Sequence, residues 1–305
     1  MIDIFASDLR PMEYWAHRVE KKLAQWEAGV IDGRSTGFKS LDPFMRLIDT
    51  ELILIAARPS MGKTALAMQI AENVAKQLRD EGDPGIVAVF SAEMAGTELY
   101  IRMTSALSGV NAHKLRYGKA SDQEKHLFRE GVQTLRNLPI WIDDGSAPST
   151  SRMLEQIERI NETMPVRLML FDFVELGGDK APKEDLRIST ILQNLKGIAK
   201  TLNIPVIGLN QLNREVDSRA NKIPQLSDLR YSGMAEQIAD KVVFITRPEY
   251  YIERKDTIEV PAEDRKGVAY ILFAKNRNGP VGMQKLAFIK ERSMFADLET
   301  QRIEL

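Results

Sequence analysis

Six short apolar runs limit what this chain can fold into: "ELILIAA" (51–57), "GIVAVFS" (85–91), "LPIWIDD" (138–144), "VRLMLFDF" (166–173), "IPVIGLNQ" (204–211) and "KVVFIT" (241–246). Each is bounded by turn residues and rich in β-branched side chains, as strands buried on both faces are. Helical patterns separate them. Ala67, Ile70, Ala71, Val74 and Leu78 recur at helical spacing, and so do Ile188, Ile191, Leu192, Leu195, Ile198 and Leu202. Such alternation predicts an α/β fold whose mostly parallel sheet is flanked by helices. The end of the chain differs, because "GVAYILFAKNRNGPVGMQKLAFIK" reads as strand, turn, strand: a C-terminal β-hairpin with Asn278-Gly279 as its turn.

The beginning stands apart. In "PMEYWAHRVEKKLAQWEAG" the residues Met12, Trp15, Ala16, Val19, Leu23 and Trp26 form one helical stripe, with Pro11 suited to the first turn and Gly29 to the end. The expected division is an N-terminal helix in 1–32 and an α/β domain in 33–305. From periodicity alone, docking of the stripe on its own domain and on a neighbouring subunit are equally open.

Composition excludes several chemistries. The 305 residues include no cysteine, which rules out disulfides, thiol catalysis and Cys-ligated zinc, while His17, His113 and His126 are too scattered for a metal site. Any metal should arrive with a nucleotide. No run approaches the roughly 20 apolar residues of a membrane span, so a cytoplasmic protein with no membrane partner is expected. A net charge of −1 argues against a uniformly basic nucleic-acid surface but allows a local basic loop.

The segment from Ala57 to Thr64, "ARPSMGKT", reads A-x4-G-K-T: a phosphate-binding loop with alanine at the usual first glycine. It follows an expected strand and opens an expected helix, so the backbone of Ala57, Arg58, Pro59, Ser60, Met61, Gly62 and Ala65 can cradle phosphates through its N–H groups. Lys63 then serves the β- and γ-phosphates and Thr64 a Mg²⁺ ion. Phosphoryl transfer needs a second carboxylate near the metal, and Asp172 closes the run "RLMLFD" where a strand end would face the same crevice. Glu93 in "VFSAEM", just past another strand, is placed to orient a water nucleophile.

Seven segments, "ARPSMGKTALA", "FSAEM", "LMLFDF", "IPVIGLNQLNRE", "PQLSDLRYSG", "ADKVVFITRPEYY" and "AKNRNGPVG", resemble in order and spacing the motifs of the DnaB family of replicative helicases. The resemblance spans about residues 30–290. It implies a RecA-like ATPase core using ATP and Mg²⁺, assembled as a homo-hexameric ring around single-stranded DNA and moving 5′ to 3′. It also implies that Glu93 polarises the attacking water, that Gln211 senses the γ-phosphate, and that Arg102 lies near that phosphate. "DLRYSG" corresponds to a channel loop gripping the DNA backbone through Arg230 and the N–H groups near Tyr231 and Gly233. Lys180 and Lys183 in "GGDKAPKEDLR" are a second DNA-facing candidate. Lys275 and Arg277, at the tip of the terminal hairpin, correspond to a finger reaching the nucleotide of the adjacent subunit.

Family members usually carry an N-terminal collar that engages primase, whereas this sequence has room there only for the linker-like helix. The resemblance docks that helix on the next subunit and makes a helicase loader or primase a candidate partner. Two other readings stand beside the motor: a RecA-like ATPase of the RadA or KaiC type, and a non-catalytic, nucleotide-controlled assembly factor.

Overall fold

The structure, a computed structural model, describes residues 9–230 and 232–298, with Ser232 described by its backbone alone. It comprises two compact units, one ending at Arg34 and one beginning at Ser35. The first holds α1 (Met12–Glu27), in which no residue is buried and Trp15 and Trp26 stay half exposed. Pro11 sits at the N-cap in extended conformation, one position before the turn it was expected to join. A 2.8 Å ion pair from Lys22 to Asp32 ties the helix to the segment that follows it.

The second unit runs in the order β1 (Leu52–Ala57), α2 (Lys63–Glu81), β2 (Ile86–Ser91), α3 (Gly96–Ser108), α4 (Ala112–Arg116), α5 (Asp122–Arg136), β3 (Ile140–Asp143), α6 (Thr150–Asn161), β4 (Val166–Asp172), α7 (Glu184–Leu202), β5 (Val206–Gln211), α8 (Ser232–Ile238), β6 (Lys241–Thr246), α9 (Pro248–Glu253), β7 (Val268–Asn276), β8 (Gly282–Ile289) and β9 (Met294–Asp297). One nine-stranded sheet has the order β3-β2-β4-β5-β1-β6-β7-β8-β9. The strands β1 to β6 pair in parallel and β7 to β9 add to β6 antiparallel.

Period-two alternation explains the continuous apolar runs, since successive side chains enter cores on opposite faces. Ile53, Ile55 and Ala57 join one core with Leu66, Ile70, Val74 and Leu78 of α2. Leu52, Leu54 and Ala56 join the other with Ile188, Ile191, Leu192, Leu195 and Ile198 of α7. Two departures from the expected pattern follow from position in the sheet. β3 is not buried on both faces: it ends the sheet, and Trp141 is 48% exposed. The terminal hairpin gains a third strand, β9, which Gln69 of α2 holds by accepting from Phe295 N at 2.7 Å and donating to Phe295 O at 3.0 Å.

A buried ion pair closes the amino-terminal edge of the parallel strands. Lys241 and Glu51 are each 3% exposed and in direct contact, and Asn278 Nδ2 donates to the other Glu51 oxygen at 2.6 Å. Removing the cation strands a buried carboxylate, so Lys241→Met should lower unfolding free energy by about 3 kcal/mol, read from urea denaturation. A loss below about 0.5 kcal/mol would mean that Glu51 finds enough compensation elsewhere.

Candidate nucleotide site

The parallel register brings the carboxyl ends of several strands together. Ala57 lies opposite Gln211 on one side and Ile245 on the other, and Ser91 lies opposite Asp172. The crevice outside these ends, where strand order reverses around β1, is where open α/β sheets bind ligands. There the phosphate loop turns into α2. Ser60 and Gly62 take positive φ values of 68° and 94°, and a Cβ on Gly62 would come within 2.8 Å of the Phe295 ring. Only glycine fits that turn without displacing β9.

A cavity of about 560 Å³ opens beside the loop. Ala57, Arg58, Pro59, Ser60, Gly62, Lys63, Thr64 and Ala65 line it, together with Glu93, Arg102 and Gln211. Sequence-expected residues more than 150 positions apart are thus brought to one wall. Met61 is the loop member outside the cavity, because its side chain is buried in the core beneath. Arg58 also differs in emphasis: its guanidinium is committed to Asp217, at 3.0 Å, and to the Leu212 carbonyl, at 2.9 Å. It therefore braces the segment after Gln211 as well as contributing backbone to the loop.

At the floor, Thr64 Oγ1 donates to Asp172 Oδ2 at 2.7 Å, and Lys63 Nζ stands 4.0 Å from Asp172 Oδ1. Burial lowers the Lys63 pKa, while Asp172, Glu175 and Glu93 pull it back up. Burial likewise raises that of Asp172, opposed by Lys63, the Thr64 hydrogen bond and Arg102. Asp172 Oδ1 is buried and has no hydrogen-bond partner among the described residues. A carboxylate oxygen beside a hydroxyl is a hard oxygen donor set of the kind magnesium prefers, so the residues fit the ion. Glu93 is exposed and reaches the rim through a turn in which Ser91 Oγ donates to Met94 O at 2.7 Å.

Arg247, Phe288, Lys290 and Ser293 help complete the wall and were missed by the sequence reading. Arg247 donates to Ser60 O at 3.1 Å, and its guanidinium carbon lies 3.6 Å from the Phe288 ring centroid. The available signal was only that Arg247 directly follows the run "KVVFIT", at a carboxyl strand end like Glu93 and Gln211.

The other expected residues lie elsewhere. Arg230, Gly233, Lys180 and Lys183 are exposed, and Arg230 is electrostatically coupled to Glu184, the residue after Lys183. Tyr231 falls outside the described residues. Lys275 lies within β7 and not at the hairpin tip, because the ladder continues to Asn276; Arg277 begins the turn. Lys275 Nζ donates to the carbonyls of Glu236 and, at 2.6 Å, Ala239. Arg277 binds Asp240 at 3.1 Å and the Gln237 carbonyl at 2.6 Å. Asp240 in turn accepts from Leu52 N, at the opposite end of β1 from the phosphate loop. Six residues of strand, roughly 20 Å, separate the pair from its own cavity.

A family model described as the DnaB-like helicase C-terminal domain matches residues 33–297. The chain belongs to this family. It is 38% identical over 278 residues to the replicative DNA helicase DnaB of Geobacillus stearothermophilus and 39% identical over 278 residues to the replicative DNA helicase DnaC of Bacillus subtilis, matching 89% of the chain in each case. It spans 58% of the length of each of those relatives. Among solved structures, one described as a single ATPase domain superposes with a TM-score of 0.82 at 32% identity, covering 96% of this chain and 100% of that one. A DnaB-like replicative helicase, described with its interactions with primase, gives 0.80 at 31% identity, covering 96% and 68%. The mostly parallel sheet, flanking helices and antiparallel terminal strands are thus those of a DnaB-like helicase ATPase domain. No helix among the described residues of this family member is long and apolar enough to cross a membrane.

Proposed function

We propose that the chain is the motor of an ATP-dependent replicative helicase, a hexameric ring that translocates 5′ to 3′ on single-stranded DNA in the cytoplasm. One observation carries the reading: Lys63, Thr64, Glu93, Asp172 and Gln211 meet at one sheet edge around a nucleotide-sized cavity, while Arg277 lies at the opposite edge. A site that holds phosphates but lacks its own finger is suited to completion by a neighbouring copy.

In this reading Lys63 and the loop N–H groups bind the phosphates, with Arg247 and Phe288 toward the base. Thr64 and Asp172 hold Mg²⁺, which supplies charge neutralisation for the transferring phosphoryl group. Glu93 orients and deprotonates water, and Gln211 reports the γ-phosphate to the segment braced by Arg58. The helix α1 docks on the next subunit with its Trp15/Trp26 stripe, and the division at about residue 32 separates linker from motor. Primase or a loader is the partner class, since one similar helicase is described with primase. The test is hydrolysis of ATP with and without single-stranded DNA. Stimulation is expected of a motor; equal rates would favour a nucleotide-controlled assembly factor.

DNA contact is assigned to Arg230, Gly233, Tyr231, Lys180 and Lys183. Phosphate contacts without base readout suit movement over any sequence. Arg230→Ala should weaken binding of all single strands alike and make the slope of log K against log[salt] shallower by about 0.7, one lost phosphate contact. A loss confined to particular base compositions, measured by fluorescence anisotropy, would assign Arg230 to stacking instead.

A further inference from the structure

Three residues beyond Asp172 lies a buried carboxylate that does not line the cavity and that the assigned roles leave unused. Glu175 sits in the short 3₁₀ turn Val174–Leu176 that follows β4. Its Oε1 accepts from the backbone N–H of Gln211 at 2.8 Å, while Oε2 is buried without a hydrogen-bond partner among the described residues. Arg187 of α7 donates to the Glu175 carbonyl at 2.7 Å and to that of Gly177, and pairs with Glu184 at 2.5 Å. The turn is therefore held from the α7 side.

The charged groups around Glu175 belong to two different surfaces. Lys63, on the nucleotide side, and Arg230, on the DNA side, both act on its carboxylate; burial raises its pKa and these contacts oppose the rise. The hydrogen bond to Gln211 fixes the backbone where β5 ends and the braced segment begins. Leu212, the next residue, forms a bridge with Leu229, the neighbour of Arg230, and Asn213 N donates to Asp228 O at 2.8 Å. A shift of the Gln211 backbone thus passes through two adjacent backbone contacts to the arginine.

We propose that Glu175 is a positioning residue that couples the nucleotide cavity to the DNA-facing rim, by holding the Gln211 backbone and sharing its charge between Lys63 and Arg230. A change at the phosphates alters what Lys63 offers Glu175, and the carboxylate answers by changing its hold on Gln211 and Arg230. The reciprocal also follows: DNA on Arg230 withdraws a cation from Glu175 and frees it toward Lys63. No proton transfer to substrate is involved. This inference rests on the motor reading above.

The experiment compares the full chain with Glu175→Ala and Glu175→Gln, measuring basal and DNA-stimulated ATP hydrolysis for each. Glu175→Ala should reduce the ratio of stimulated to basal rate at least about fivefold, with the basal rate little changed. A merely destabilised protein would lose both rates together and keep their ratio. Glu175→Gln retains an acceptor for Gln211 N but no charge, so a restored ratio assigns the coupling to the hydrogen bond and an unrestored one to the charge. A ratio equal to the parent's in both variants, or proportional loss of both rates, overturns the proposal while leaving the motor reading intact. A parent that DNA does not stimulate overturns the motor reading, and this inference with it.

Discussion

Lys63→Ala should reduce ATP turnover at least about a thousandfold and weaken nucleotide binding, whereas Glu93→Gln should keep binding and lose turnover. The difference follows from geometry. Lys63 is nearly enclosed, 4.0 Å from Asp172 Oδ1 and 4.4 Å from the Phe173 ring centroid, so its ammonium is fixed where bound phosphates would lie. It contributes to the ground state as well as to the transition state. Glu93 is exposed on the rim, and its carboxylate matters only when a water must be oriented and deprotonated. Steady-state hydrolysis together with fluorescent-nucleotide titration separates the two effects. Turnover near the parent rate in Glu93→Gln would remove Glu93 from the mechanism. Strong nucleotide binding by Lys63→Ala would move the phosphates away from the loop.

Arg277→Ala should cost about 10³-fold in turnover with nucleotide affinity largely kept, because a finger supplied by a neighbour neutralises charge that develops in the transition state. The side chain cannot act on its own cavity. It lies beside Asp240, at the amino-terminal edge of a strand whose other end forms the phosphate loop. Mixing decides the question. Lys63→Ala subunits have a dead site and an intact finger, and Arg277→Ala subunits have an intact site and no finger. Rings containing both should recover activity wherever an intact finger faces an intact site. Mixed assemblies, verified by differential tagging, that hydrolyse no faster than either mutant alone would end the case for action across an interface.

Much of this site was legible before the fold. The loop from Ala57 to Thr64 is contiguous, and its spacing alone binds phosphate chemistry to a strand-to-helix turn. Asp172, Glu93 and Gln211 each end or follow an apolar run, and a parallel sheet collects such ends at one edge. Arg247 and Phe288 carried no comparable pattern. They come from separate strands and become neighbours only where β6 and β8 approach the loop, with Arg247 binding a carbonyl 187 positions earlier. Glu175 was equally silent, since nothing local distinguishes it from a solvated turn glutamate; its partner Gln211 is 36 residues away.

The sequence by itself determined the class of fold, because hydrophobic periodicity is a local property: runs covered on both faces must be continuously apolar, and covering helices must carry a stripe. It also determined the terminal hairpin through Asn278-Gly279, whose turn chemistry is local too. Strand order, the edge position of β3, the added strand β9 and the separation of Arg277 from its own cavity were decided by the tertiary structure alone. Parallel neighbours are joined by long crossovers, so chain order does not dictate which strands pair. The same holds for charge: whether Arg58 faces a phosphate or braces Asp217, and whether Glu175 meets solvent or the Gln211 backbone, depends on which distant segment the sheet brings alongside.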